Sequence, residues 1–169
     1  APWRMEYIRQ LTSDKGKSDS SSSACFLCDA CAYSVETAEG RQRLVLLNDD
    51  RGVILLNRYP YTNGHVLVAC SEHVGDLTDL SPQQRAGIIE LAALAEQTIR
   101  TAVNPQGINI GINLGQCAGA GLPGHLHVHV VPRWSGDTNF MQTVGQVRVI
   151  PDALEQSYEQ LAEALVKAL

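Results

Sequence analysis

His125, His127 and His129 fall at alternate positions of one apolar run, His125-Leu126-His127-Val128-His129-Val130-Val131. Successive side chains of a β-strand point to opposite faces, so the three imidazoles share one face while Leu126, Val128 and Val130 share the other. The apolar face is a core face. Three imidazoles in a row add little to a core, whereas together they can hold a metal, bind an anion or supply a nucleophile with its helpers. A half-buried strand whose exposed face merely carries histidine is the plainer and weaker alternative.

A second cluster of reactive side chains lies upstream. Cys25, Cys28 and Cys31 crowd into Cys25-Phe26-Leu27-Cys28-Asp29-Ala30-Cys31, within a chain whose five cysteines make an odd count. Such spacing points to metal binding or redox work before a disulfide framework. A CxxC knuckle places two thiolates on one Zn²⁺ and leaves two positions for distant ligands. Taken alone, the motif equally fits a redox pair or thiols without a role.

Elements must bring these groups together. Thr12 to Ser23 is a polar tract of Ser, Asp, Lys and Gly that cannot bury an apolar face. It divides the chain into an N-terminal arm with a flexible Ser-rich linker, residues 1–23, and a catalytic domain, residues 24–169. Leu44–Leu47 and Val53–Leu56 flank Asn48-Asp49-Asp50-Arg51-Gly52 and predict a β-hairpin, and Val66–Ala69 predicts another strand. Ser81-Pro82-Gln83-Gln84 supplies an N-cap, a proline at the first helical position and a Gln at the third. Ile88, Leu91, Ala92, Ala95 and Ile99 then share one face of a helix reaching about Val103. Gly107 to Leu114 alternates Ile108, Ile110 and Ile112 with Asn109, Gly111 and Asn113, a strand with one small, polar face. A last helix from about Asp152 aligns Leu154, Tyr158, Leu161 and Leu165. Several strands with two main helices predict an α+β domain, its antiparallel sheet covered on one face.

Composition narrows the function. At 169 residues the chain is one ordinary domain with a sizeable core. A net charge of −5 and 5% aromatic residues disfavour a nucleic-acid surface, which shows a basic stripe with stacking rings. A local phosphate pocket stays compatible, because backbone amides and a few histidines bind phosphate without net positive charge. No stretch has the unbroken apolar length of a membrane span, and Ala1-Pro2-Trp3-Arg4-Met5-Glu6 is unlike a signal peptide, so the expected location is cytoplasmic.

The run Gly124-His125-Leu126-His127-Val128-His129-Val130-Val131-Pro132-Arg133 resembles the signature of the histidine-triad (HIT) superfamily of nucleotide hydrolases and transferases. Asn57-Arg58-Tyr59-Pro60-Tyr61-Thr62-Asn63-Gly64-His65-Val66-Leu67-Val68 resembles its other recurring segment, and the likeness extends from about Cys25 to Met141. The resemblance implies an antiparallel-sheet α+β fold that pairs into a homodimer through its helix and an edge strand. It also implies cleavage of a nucleoside phosphoric anhydride through a nucleotidyl-histidine intermediate. A neutral imidazole adds no negative charge to the repulsion around phosphorus, and a phosphoramidate splits one hard displacement into two easier ones.

By that resemblance His127 is the nucleophile, its second nitrogen oriented by an acceptor such as a backbone carbonyl. His129 binds a nonbridging phosphate oxygen, and His65 supports the triad or makes a purely structural hydrogen bond. Asn57 holds the ribose hydroxyls, and Asn113 contacts phosphate or leaving group. Gln116, Gly119 and Gly121 belong to a glycine-rich loop whose amides suit phosphate. In zinc-bearing members a CxxC pair, a later histidine and the first triad histidine form a tetrahedral site, which maps to Cys25, Cys28, His73 and His125. That Zn²⁺ would be structural, since four protein ligands leave no open position. Cys31 is a substitute ligand or a free thiol, and Cys70 and Cys117 are packing or incidental residues.

One departure matters. Many hydrolases of the family carry Ser or Thr five residues before the nucleophile, where this chain has Leu122. The run Val131-Pro132-Arg133-Trp134-Ser135-Gly136-Asp137-Thr138-Asn139-Phe140 resembles a diadenosine-polyphosphate phosphorylase branch in which inorganic phosphate resolves the intermediate. Arg133 is then an additional phosphate ligand, or equally a surface cation. The implied substrates are purine nucleotides or dinucleoside polyphosphates. A non-catalytic nucleotide-binding module is the rival from another class. A DNA-end deadenylating role would call for a basic surface and an extra zinc finger.

Overall fold

The computed structural model describes residues 25–137 and 153–169. The expected arm and linker, the domain start at 24, the helix onset at Asp152 and Thr138 to Phe140 of the downstream run lie outside these residues. Chain order is α1 (Phe26–Cys31), α2 (Ala38–Gln42), β1 (Val45–Asp49), β2 (Gly52–Leu56), β3 (Val66–Ala69), α3 (Pro82–Val103), β4 (Gly107–Ile112), β5 (His127–Arg133) and α4 (Leu154–Ala168). The five strands form one sheet in the order β1-β2-β3-β5-β4, every neighbouring pair antiparallel. The α+β architecture matches the expectation.

Local chemistry explains the boundaries. The hairpin turn is tighter than the five-residue loop read from sequence. β1 continues to Asp49 and β2 begins at Gly52, because Asp49 Oδ1 accepts from the Arg51 backbone N–H at 2.9 Å and folds the chain back. Gly52 sits at φ +138°, and a Cβ there would lie 2.1 Å from the Ala69 carbonyl oxygen, so only glycine fits. α3 begins on a complete capping box: Ser81 accepts from the Gln84 N–H and the Gln84 side chain accepts from the Ser81 N–H. It ends at Asn104, in the left-handed conformation. β4 stops at Ile112, two residues short of the expected Leu114, which leaves Asn113 just beyond the ladder.

The main core lies between the sheet and the long helices. Ile88, Leu91, Ala92, Ala95 and Ile99 of α3 meet Ile54, Leu56, Val66, Val68, Leu126, Val128 and Val130. Leu161 and Leu165 of α4 complete that layer, and the Tyr158 hydroxyl donates to the Val45 carbonyl at 2.8 Å. Each large aliphatic side chain buried here contributes about 1.5–3 kcal/mol.

The sheet is not covered on one face alone. Leu27 and Ala30 of α1, with Cys25, pack on Val45, Val53, Leu55, Leu67 and Ala69 of the opposite face. Sequence reading missed this layer because α1 spans six residues, too few for a hydrophobic period to emerge. Its packing carries the cysteine knuckle onto the histidine face.

Candidate active site and metal centre

His127 and His129 project from β5 onto the face opposite the main core. Their rings stand 4.9 Å apart, nearly edge to face, and His125 and His127 are buried while His129 is half-buried. The His127 Nδ1–H donates to the His125 carbonyl at 2.8 Å. That bond leaves the lone pair on Nε2, the tautomer a nucleophilic imidazole needs. Burial pushes the His127 pKa down, opposed by the bond to the His125 carbonyl, so the ring is held neutral at ordinary cellular pH.

A second set of bonds orients His129. The fully buried His65 accepts at Nδ1 from the Tyr61 backbone N–H at 3.1 Å, with the Asn57 amide at 3.2 Å from the same atom. A nitrogen that accepts carries no proton, so His65 presents Nε2–H, which stands 3.1 Å from His129 Nδ1. His129 accepts there and carries its own proton on Nε2. The Asn113 Nδ2 lies 3.5 Å from that Nε2, so two donor groups stand side by side there. The Tyr61 ring packs 4.7 Å from His65 and 5.8 Å from His129 and clamps both.

The structure thus brings His65, His127, His129 and Asn113 together. Asn57 joins them through His65, its Oδ1 accepting from the Tyr59 N–H at 3.0 Å. The glycine-rich loop is more self-contained than its composition suggests. Gly119 N–H donates to the Gln116 carbonyl and Ala120 N–H to the Gly115 carbonyl, so these two amides close the loop's own turn. The Gln116 side chain is exposed on that turn, and Gly121 is half-buried on its way to Leu122.

Arg133 is paired at the end of β5. Its Nε and Nη2 donate to the Asp137 carboxylate at 2.6 and 2.8 Å, and its Nη1 donates to Asn109 Oδ1 at 2.8 Å.

Cys25, Cys28, His73 and His125 converge beside the triad with donor atoms all within 4.8 Å of one another. Cys25 caps α1 and Cys28 lies one turn on. His125 Nδ1 stands 3.3 Å from Cys25 Sγ and 3.4 Å from Cys28 Sγ, and His73 Nδ1 stands 3.2 Å from Cys28 Sγ. Tetrahedral Zn²⁺ with ordinary bond lengths requires N···S separations of roughly 3.5 Å. The two-sulfur, two-nitrogen donor set and its spacing fit that ion.

The remaining His125 nitrogen, Nε2, donates to the Cys70 carbonyl at 2.9 Å. Cys31 lies outside the cluster, its sulfur 3.8 Å from the Cys70 carbonyl, and Cys117 is exposed. Sequence reading missed the part played by Cys70, because a backbone carbonyl leaves no mark in residue type. Tyr61 was legible in principle as the aromatic residue between Pro60 and His65.

A five-stranded antiparallel sheet carrying buried His127 beside His129, with a Cys₂His₂ cluster next to them, defines the class. Residues 39–136 match the HIT domain, and the chain belongs to that family. It is 37% identical to an AP-4-A phosphorylase of Mycobacterium tuberculosis over 161 residues, 95% of this chain and 80% of that protein. It is 35% identical to the asymmetrical bis(5'-nucleosyl)-tetraphosphatase of Schizosaccharomyces pombe over 82 residues, 48% of this chain and 44% of that one. A Zn-bound histidine triad family protein of Mycobacterium smegmatis shares the fold with a TM-score of 0.68 and 30% identity, covering 87% of this chain and 96% of that one. Among the described residues no helix is long and apolar enough to cross a membrane.

Proposed function

We propose that this protein is a nucleotidyl hydrolase or transferase that cleaves dinucleoside polyphosphates through a nucleotidyl-His127 intermediate. The observation that carries this reading is the His127 Nδ1–H bond to the His125 carbonyl, which leaves the lone pair on Nε2 of a buried, neutral ring beside His129. In the first step Nε2 attacks the α-phosphorus and the bond to the bridging oxygen breaks, releasing a nucleotide and leaving a phosphoramidate. In the second, an acceptor oxygen attacks the same phosphorus and the N–P bond breaks, returning His127 to its neutral form. The His129 Nε2–H, fixed by His65, meets negative charge shifting onto the nonbridging oxygens. Asn113 touches the same phosphate or the leaving group, the glycine-rich loop with Gln116, Gly119 and Gly121 borders it, and Asn57 serves the ribose or holds His65.

Cys25, Cys28, His73 and His125 would hold one Zn²⁺. Bound there, the ion supplies structural crosslinking and no open position for water. It ties α1 and the loop after β3 to the residue whose carbonyl orients the nucleophile.

Transfer to inorganic phosphate is the second reading, favoured by the 37% identity to the AP-4-A phosphorylase across nearly the whole chain. The engaged Arg133 gives it no support. Product analysis with diadenosine tetraphosphate separates the acceptors: ADP formed only when phosphate is present marks a phosphorylase, and AMP with ATP formed without phosphate marks a hydrolase. Cleavage in neither condition would contradict both.

The likeness to this family also supports a cytoplasmic homodimer. β4 is an edge strand without charged residues, with Ile110 48% and Leu114 just beyond it 41% exposed, which suits pairing with a second copy. Sedimentation showing an 18.3 kDa monomer at micromolar concentration would oppose that pairing.

A further inference from the structure

Asn57 to His65 form the loop between β2 and β3, and three hydrogen bonds close that loop upon itself. Asn57 N–H donates to the His65 carbonyl at 2.9 Å, His65 N–H to the Thr62 carbonyl at 3.3 Å, and Tyr59 N–H to Asn57 Oδ1 at 3.0 Å. The Thr62 hydroxyl instead reaches out of the loop and donates to the Pro132 carbonyl of β5 at 2.8 Å. It moors the loop to the strand that carries His127 and His129.

The strand leaves that acceptor available. The β3–β5 ladder begins with Val66 opposite Val130, so Pro132 lies beyond it. The Arg133 carbonyl accepts from the Gln106 N–H on the β4 side, and carbonyls alternate sides along a strand, so the Pro132 carbonyl faces the β3 side. Proline has no N–H to place there either.

Tyr61 is the chain neighbour of Thr62. Its N–H donates to His65 Nδ1 at 3.1 Å, and its ring lies against both His65 and His129. The mooring therefore sets the position of the donor that keeps His65 Nδ1 unprotonated and directs its Nε2–H at His129 Nδ1, 3.1 Å away. The far end of this relay is the His129 Nε2–H.

We propose that Thr62 is a positioning residue for nucleotidyl transfer, its hydroxyl bond to Pro132 holding the Tyr61–His65–His129 relay in place beside the nucleophile. The inference rests on the reading that the His129 Nε2–H meets charge on the nonbridging oxygens in the transition state. Thr62 itself bonds a strand carbonyl and acts through its neighbours.

An N–H···N hydrogen bond transmits a scalar coupling between its two nitrogens, so magnetic resonance of isotope-labelled protein reads the relay without substrate. The parent protein is expected to show the Tyr61–His65 and His65–His129 couplings. Thr62→Val keeps the branched shape and removes the hydroxyl. It is expected to lose the first coupling and to lower kcat for diadenosine tetraphosphate about tenfold, with KM within about twofold of the parent. Removing a transition-state donor outright costs on the order of 10²–10³ in kcat; the loss here is smaller because the Asn57 amide, 3.2 Å from the same Nδ1, retains part of the alignment. Thr62→Ser restores the hydroxyl and is expected to return both readouts to the parent's.

Absence of the Tyr61–His65 coupling from the parent overturns the proposal whatever the variants do. A folded Thr62→Val protein that keeps either that coupling or the parent kcat overturns it as well, and Thr62→Ala takes its place where valine does not fold. Lower melting with both readouts intact is the result a merely structural hydroxyl would give. Failure of the His127 reading is separate, since it shows as missing turnover or adduct in the unaltered protein and leaves the couplings unchanged.

Discussion

His127→Ala is expected to lower turnover of diadenosine tetraphosphate by a factor on the order of 10⁴ or more while leaving nucleotide binding within a few-fold. The size follows from the role, since no other described side chain presents a buried, neutral imidazole nitrogen at that point on β5. His65 cannot substitute, because its Nδ1 accepts from the Tyr61 N–H and its Nε2 is directed at His129. His129 is committed in the same network and lies one strand repeat further along. The change removes the bond to the His125 carbonyl, which costs about 1 kcal/mol, and leaves the core on the other face of the sheet intact. Circular dichroism and nucleotide affinity should therefore change little. A variant that keeps even a tenth of the activity would remove His127 from the nucleophile's role.

The second large effect concerns the metal cluster. Replacing Cys25 and Cys28 together by serine is expected to abolish binding of about one Zn²⁺ per chain and to destabilise the protein by about 4 kcal/mol. For a domain of this size that lowers the melting temperature by roughly 12 °C. The reason is topological. The cluster joins α1, the loop after β3 and the bend just before β5, and Leu126 N–H donates to the Val74 carbonyl beside it at 2.7 Å. Activity should fall as well, because the His125 carbonyl is the acceptor that orients His127. Elemental analysis and calorimetry check the prediction together. Unchanged melting in protein proven free of metal would show the cluster to be dispensable for the fold.

Much of this arrangement was legible before the fold. The alternation of His125, His127 and His129 with Leu126, Val128 and Val130 is a period of two; Leu126, Val128 and Val130 lie in the main core and His127 and His129 on the other face, while β5 begins only at His127 and His125 sits in the bend before it. The capping box at Ser81 and the apolar stripe from Ile88 to Ile99 are equally local signals and set α3 within its expected bounds. The pairing of Cys25 and Cys28 with His73 and His125 spans 100 residues from Cys25 to His125 and entered through family resemblance, not through spacing.

The parts that were not legible depend on tertiary contacts. The second layer under α1 rests on Leu27 and Ala30, too few positions to form a pattern. The engagement of Arg133 by Asp137 and Asn109 depends on the turn after β5 and on cross-strand register. The tautomers of His65 and His129 follow from one backbone N–H, that of Tyr61, and the Cys70 carbonyl is invisible to any reading of side chains.

The most direct measurement is the intact mass of the protein quenched in base within one turnover of diadenosine tetraphosphate, followed by peptide mapping. A nucleotidyl group on the peptide carrying His127, lost in acid and absent from His127→Ala, is the expected result. Product formed at full rate with no adduct, or with the adduct on another residue, would contradict covalent catalysis by His127.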